Sequence, residues 1–206
     1  MFVKFIKYVG KNFGNPRGIG GIISTIIMNI INQPQYKSIL ENINLENNDN
    51  ILDIGFGNGY LIYKLFQKNV PIKVFGIEIS DDMLKKVSKK YDHIIRNDNL
   101  KLYLENIEKT SFENETFDKI CTINTIYFWN DLQKCFSEIK RIIKPNGIFL
   151  NVIYSKDFLD KLIYTKYGFK KFTKDELKKI TEENGMNVIK VIEIRKNKSY
   201  CIISKK

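Results

Sequence analysis

Asp53, Gly55, Gly57 and Gly59 stand at alternate positions in the stretch Ile51-Leu52-Asp53-Ile54-Gly55-Phe56-Gly57-Asn58-Gly59-Tyr60, and Glu78 follows Asp53 by twenty-five residues. A short apolar run ends in an acid, and a helix-spaced apolar pattern begins at Tyr60. The order is strand, glycine turn, helix. Such a turn lets a ligand approach the backbone, and the helix behind it aims free N–H groups and a positive dipole end at that ligand. An acid one βα unit further on, at Glu78, could accept both hydroxyls of a ribose. Asn106 could meet an adenine edge, with Ile79, Met83 and Ile107 on the faces of the ring. Phe56 lies inside the glycine turn, and Ile123-Asn124 ends a fourth apolar run.

Other chemistries lack their residues. His93 is the single histidine, and the three cysteines, Cys121, Cys135 and Cys201, form no CxxC or Cys/His cluster. No metal site or disulfide framework is expected, and a reducing cytoplasm fits this usage. His93 is expected on the surface of the helix after Ser80.

These residues need a particular set of elements to bring them together. Beyond the first strand and helix, Ile72–Ile79 reads as a buried parallel strand ending at Glu78. Ser80 caps a helix from Asp81 to about Asn97, with acids first and lysines later. Residues 100–106 and 117–124 read as further strands, 131–143 as a helix and 148–154 as a fifth strand. Thr173 and Glu176 form a capping box for a helix closed by Gly185. Two last strands, 188–194 and 200–203, are joined so tightly that they must form an antiparallel hairpin. The alternation predicts one three-layer α/β domain over residues 1–206, with its ligand off the carboxyl ends of the strands.

Residues 1–44 read as a helical segment that lids the 45–206 core. The apolar stretch from Gly18 to Ile31 is too short for a membrane span and has no cleavage pattern after it, so a core-packing or lid helix is expected. Transient contact with a membrane surface is the lesser alternative. Tyr36–Ile43 reads as a second helix. The net charge of +11 over 206 residues comes mostly from lysines scattered along the chain, and reads as solvated surface rather than a nucleic-acid tract.

Taken together, Asp53-x-Gly55-x-Gly57-x-Gly59, Glu78-x-Ser80-x-x-Met83, Asn106 to Phe112, Thr116 to Ile120 and Glu138 to Gly147 resemble a class I S-adenosylmethionine-dependent methyltransferase. The similarity is to the ubiquinone/menaquinone-biosynthesis-like branch that acts on small molecules, and it runs from about residue 45 to 155. It implies a Rossmann-like, seven-stranded, mostly parallel sheet with an antiparallel last strand. It also implies S-adenosyl-L-methionine over the glycine turn, with Glu78 on its ribose. Asn106 stands where the family more often has Asp, and Ser111 where it usually has Pro.

Methyl transfer of this kind is an in-line displacement in which positioning does most of the work. Tyr127, Phe128 and Trp129 could wall the transfer pocket and favour a sulfonium through their ring faces. Tyr127 is the candidate for any proton removal, since related enzymes often place an acceptor-facing residue there. The turn at Asn15-Pro16-Arg17-Gly18 and the apolar segment after it suggest a small acceptor, with Arg17 able to meet an anionic group on it.

Three rivals remain at this stage. An NAD(P)-dependent oxidoreductase shares the glycine turn and strand-end acid, but its G-x-G-x-x-G spacing is absent here. An RNA or other nucleic-acid methyltransferase suits the charge, but a base-amino enzyme would carry prolines after Asn124, and none are there. A non-catalytic S-adenosylmethionine-binding protein would also keep Glu78 and the turn. The acceptor and the oligomeric state are not legible.

Overall fold

The computed structural model describes residues 30–206. Seven strands form one sheet in the order β3-β2-β1-β4-β5-β7-β6. They are β1 Asn50–Ile54, β2 Lys73–Glu78, β3 Leu100–Leu104, β4 Phe117–Ile123, β5 Ile143–Tyr154, β6 Asn187–Arg195 and β7 Ser199–Lys205. The first five are parallel, and β7 slots antiparallel between β5 and β6. The expected sheet and its closing hairpin are therefore present.

The strand order reverses between β1 and β4, because β1 pairs with β2 on one side and β4 on the other. That reversal opens a crevice at the carboxyl ends of β1 and β4, the place where open α/β sheets bind ligands. The central strands carry apolar residues on both faces, as a doubly covered parallel sheet requires. On one face Leu52, Ile120 and Phe149 pack under α5, Leu132–Ile142, and α7, Lys174–Glu183. On the other, Ile51, Val74, Cys121 and Leu150 pack under α1, Gln33–Asn42, α2, Tyr60–Phe66, and α3, Asp81–Lys90. Each fully buried Ile, Leu or Phe stabilises the fold by roughly 1.5–3 kcal/mol. Together they make the three layers.

Local chemistry sets the helix ends. Ser80 accepts the Met83 N–H at the start of α3, Asp131 accepts the Lys134 N–H at the start of α5, and Thr173 with Glu176 closes the predicted capping box on α7.

Two boundaries differ most from the sequence expectation, while α1 starts three residues early at Gln33, β3 ends at Leu104 and β7 runs on to Lys205. The helix predicted over 81–97 is two, α3 and a five-residue α4, Asp92–Arg96. Tyr91 breaks it, because its buried ring turns in against Gly59 and its hydroxyl donates to the Gly59 carbonyl at 3.1 Å. β5 begins at Ile143 rather than 148, since Ile143 already pairs with Phe117 before the register shifts at Lys119. His93 is exposed on α4. The expected helix over Gly18–Ile31 and the turn with Arg17 lie almost wholly outside the described residues.

Candidate active site

β1 delivers Asp53 to the crevice, and the chain then turns through Gly55, Phe56 and Gly57 into α2. Gly55 has φ +71°, and a Cβ there would lie 2.5 Å from Thr125 Cγ2. Only glycine lets this turn pass so close to the loop after β4. Thr122 secures that loop from below, its hydroxyl donating to the Ile54 carbonyl at 3.1 Å and pairing with the Thr125 hydroxyl.

β2 delivers Glu78. Its Oε2 accepts the Gly57 N–H at 3.0 Å, while Oε1 accepts the N–H groups of Ile79 and Ser80 at 2.8 and 3.1 Å. Burial pushes the Glu78 carboxyl up, and these backbone hydrogen bonds oppose the rise. The carboxylate is thus held rigidly between the glycine turn and the strand end.

Asp53 is different. It is buried and its Oδ2 has no hydrogen-bond partner, yet it lines the cavity. Burial, with Glu78 nearby, pushes its carboxyl up to about 8. A buried acid of this kind is stabilised when a cation or donor reaches it. Tyr36, on α1, lines the same cavity, and burial together with Asp53 pushes its phenol up.

Twelve of the residues expected from sequence meet at this cavity: Asp53, Gly55, Phe56, Gly57, Glu78, Ile79, Asn106, Ile107, Ile123, Asn124, Phe128 and Trp129. Three do not line it. Gly59 is the left-handed cap of α2, where a Cβ would meet Tyr91 and Val87 at 2.8 and 2.9 Å, so it serves helix packing. Met83 is buried behind the wall on α3. Tyr127 is buried in the core, its hydroxyl 3.0 Å from Asn124 Oδ1 and 3.1 Å from the Tyr154 carbonyl oxygen, while it accepts the Tyr154 N–H. Burial pushes that phenol well up, and Tyr127 reaches the cavity only through Asn124, which lines it.

Sequence reasoning placed residues 1–44 over the core but did not single out Asn32, the residue that precedes α1, or Tyr36 and Gln35 on it. Asn32 and Tyr36 line the cavity, and Asn32 accepts the Tyr154 hydroxyl at 2.8 Å. Gln35 exchanges hydrogen bonds with Asn124, whose Nδ2 donates to Gln35 Oε1 at 2.8 Å. Asn124 itself adopts φ 59°, a left-handed conformation that asparagine tolerates. Thr125 and Asn130, likewise not singled out from sequence, complete the same side beside the expected Phe128.

The comparisons with known proteins complete the identification. Residues 45–202 match the methyltransferase domain family. The chain belongs to that family. The methyltransferase is 27% identical to the methyltransferase YdaC of Bacillus subtilis over 126 residues, which are 61% of this chain and 67% of that one. It is 30% identical to the ubiquinone/menaquinone biosynthesis C-methyltransferase UbiE of Rickettsia prowazekii over 128 residues, 59% of this chain and 52% of that one. The chain thus spans from about half to two thirds of these two relatives. A SAM-dependent methyltransferase structure from Aquifex aeolicus superposes with a TM-score of 0.68 at 20% identity, covering 82% of this chain and 88% of that one. The geranyl diphosphate C-methyltransferase of Streptomyces coelicolor superposes at 0.71 and 12% identity, covering 84% and 75%.

Family and fold make it a class I enzyme whose cofactor is S-adenosylmethionine. The residues present fit that cofactor. Among the described residues the lining holds three carboxyls, Asp53, Glu78 and Glu105, and no basic side chain, although the whole chain carries +11. A sulfonium and an ammonium find a favourable field there.

Proposed function

We propose that this chain methylates a small-molecule acceptor, and that Glu78 is the residue on which cofactor binding turns. The observation that carries the proposal is the Glu78 carboxylate, fixed by three backbone N–H groups beside the glycine turn. Held from behind by these three donors, it keeps acceptor capacity for the two hydroxyls of a ribose. Ile79 and Ile107 flank the adenine. Asn106 Oδ1 accepts the Glu108 N–H at 3.1 Å, which leaves its Nδ2 to donate to a ring nitrogen where the family's usual Asp would accept. Asp53 and the Gly55–Gly57 backbone receive the methionyl end.

When bound, S-adenosylmethionine supplies an electrophilic methyl group on a cationic sulfur. The protein's task is then to orient the acceptor and keep water out, a proximity effect worth roughly 7–11 kcal/mol in the best cases. Asn32 and Tyr36 from α1, with Phe128 and Trp129 opposite, bound the acceptor side. Their character, aromatic with uncharged polar groups, suits a small, largely apolar molecule. The name of the Rickettsia relative, a C-methyltransferase of quinone biosynthesis, points the same way. Arg17 and the rest of residues 1–29 are proposed to complete the acceptor lid.

Titration calorimetry with S-adenosylhomocysteine tests the cofactor half of this reading. Binding by the wild type and its loss in Glu78→Ala are expected. Equal affinity in the two proteins overturns the assignment of Glu78.

A further inference from the structure

The segment between β5 and α7, residues 155–173, holds five lysines and two aspartates, and little of it is needed to line the cavity. It opens with a one-turn helix, α6, Lys156–Leu159, followed by a 3-10 turn, Ile163–Lys166. Its base is well anchored. Lys156 N–H donates to the Phe172 carbonyl at 2.8 Å, closing the two ends together. Thr165 is buried, and its hydroxyl bonds the Leu162 carbonyl at 2.8 Å. Phe169 packs its ring 4.7 Å from Phe128, and the Lys170 N–H donates to the Tyr127 carbonyl at 3.0 Å.

On this fixed base two large apolar side chains face solvent: Ile163 is 54% exposed and Tyr167 40% exposed. Lysines flank them along the chain, Lys161 and Lys166 on either side of Ile163 and Lys166 next to Tyr167. Lys161 and Lys166 are exposed and make no ion pair among the described residues. Lys170 is exposed as well, and Lys198 reaches over the Phe158 ring from the β6–β7 turn. Asp160, by contrast, is already matched by both Lys156 and Lys171. Asp157 is exposed and in no ion pair among the described residues, so against Lys161, Lys166, Lys170 and Lys198 it leaves the segment with exposed apolar side chains and an excess of positive charge.

From this face we infer a docking surface for an anionic lipid bilayer. Exposed isoleucine gains from entering the acyl boundary, tyrosine favours headgroup depth, and each lysine near an anionic leaflet contributes about 1 kcal/mol. A nucleic-acid backbone would employ the lysines and stack on Tyr167, but would leave Ile163 in water. The patch sits at the same end of the sheet as the cavity, because Phe169 rests on Phe128, which lines it. Docking through it holds the cavity beside the bilayer, where a lipid-dissolved acceptor is concentrated. The docking itself does not depend on the methyl-transfer reading.

Co-sedimentation of the full chain with phosphatidylcholine vesicles, with and without phosphatidylglycerol, tests this at about 0.1 M salt, where charges are screened beyond about 10 Å. Binding to the anionic vesicles alone is expected. Lys161→Glu/Lys166→Glu should weaken it about thirtyfold or more, at about 1 kcal/mol per lysine removed, and Ile163→Asp should weaken it severalfold. The charge-matched control Lys86→Glu/Lys89→Glu, on α3, should change it little. An unchanged circular dichroism spectrum and thermal midpoint show that each variant is folded. The inference is overturned if neutral vesicles bind equally, if the control loses as much as the Lys161/Lys166 variant, or if Ile163→Asp has no effect. It is also overturned in favour of nucleic acid if single-stranded RNA binds through the same lysines while the vesicles do not.

Discussion

Glu78 Oε2 accepts the Gly57 N–H at 3.0 Å, so the acid at the end of β2 and the turn at the end of β1 form a single rigid piece. The hydrogen bond also explains why glycine spacing and strand-end acid are informative together: each fixes the other's position at the crevice where the sheet order reverses.

Removing that carboxylate is expected to act on binding and on stability at once. Glu78→Ala strands the N–H groups of Gly57, Ile79 and Ser80. Hydrogen bonds to a charged group contribute roughly 1.5–3 kcal/mol. Calorimetry should show S-adenosylhomocysteine affinity falling at least tenfold, and thermal denaturation a lower midpoint. Glu78→Gln, which can still accept, should recover part of both. An unchanged affinity in the alanine variant would mean that the ligand is held elsewhere.

Gly55→Ala tests the close approach of the two loops. The new methyl meets Thr125 Cγ2 at 2.5 Å on a backbone with φ +71°. Left-handed strain of about 1–2 kcal/mol adds to overpacking of about 1–3 kcal/mol. Urea denaturation should show a loss in that combined range. Thr125→Ser deletes Cγ2 while keeping the hydroxyl beside Thr122, so in the double variant it should restore the steric part and leave the backbone strain. A double variant no more stable than Gly55→Ala would show that the clash is not the cause.

Why some of this was legible and some was not follows from the range of each interaction. Asp53, the glycine turn and Glu78 are defined by local spacing and by which end of a strand they occupy, both of which periodicity reveals. Side-chain direction beyond those ends is a tertiary matter. Met83 and Tyr127 lie near the right strand ends but point into the core. Gly59 has the expected left-handed backbone, yet faces Tyr91 and Val87 rather than the cavity. Asn32 and Tyr36 reach the site because Gln35 bonds Asn124 across 89 residues, a contact no periodicity announces. The helix break at Tyr91 has the same origin, since a buried hydroxyl bond to Gly59 overrode a continuous helical pattern.

Tyr127→Phe separates a core role from a ligand-facing one. The hydroxyl accepts the Tyr154 N–H, and losing it leaves that part-buried donor unsatisfied. The expected cost is roughly 1–3 kcal/mol in denaturant unfolding, with S-adenosylhomocysteine affinity within about twofold of wild type. A large loss of affinity with stability intact would place the side chain at the ligand instead.

Asp53 makes the pH dependence specific. Its carboxyl is raised to about 8 by burial, with Glu78 adding to the rise, whereas in the unfolded chain it titrates like an ordinary aspartate. The folded state therefore binds the proton more tightly than the unfolded state. Its contribution to stability is full below about pH 4 and is lost as pH rises through the window up to about 8, by about 1.4 kcal/mol per unit while the two states differ by one proton. Glu78, also raised, acts in the same direction. Urea titrations across this window should show Asp53→Asn removing most of the slope, because the amide does not ionise. A cationic ligand reverses the preference, since it favours the ionised carboxylate. S-adenosylmethionine affinity should therefore increase with pH toward 8 in the wild type and stay flat in Asp53→Asn. Parallel profiles in the two proteins would show that the unpartnered Oδ2 does not face the cation.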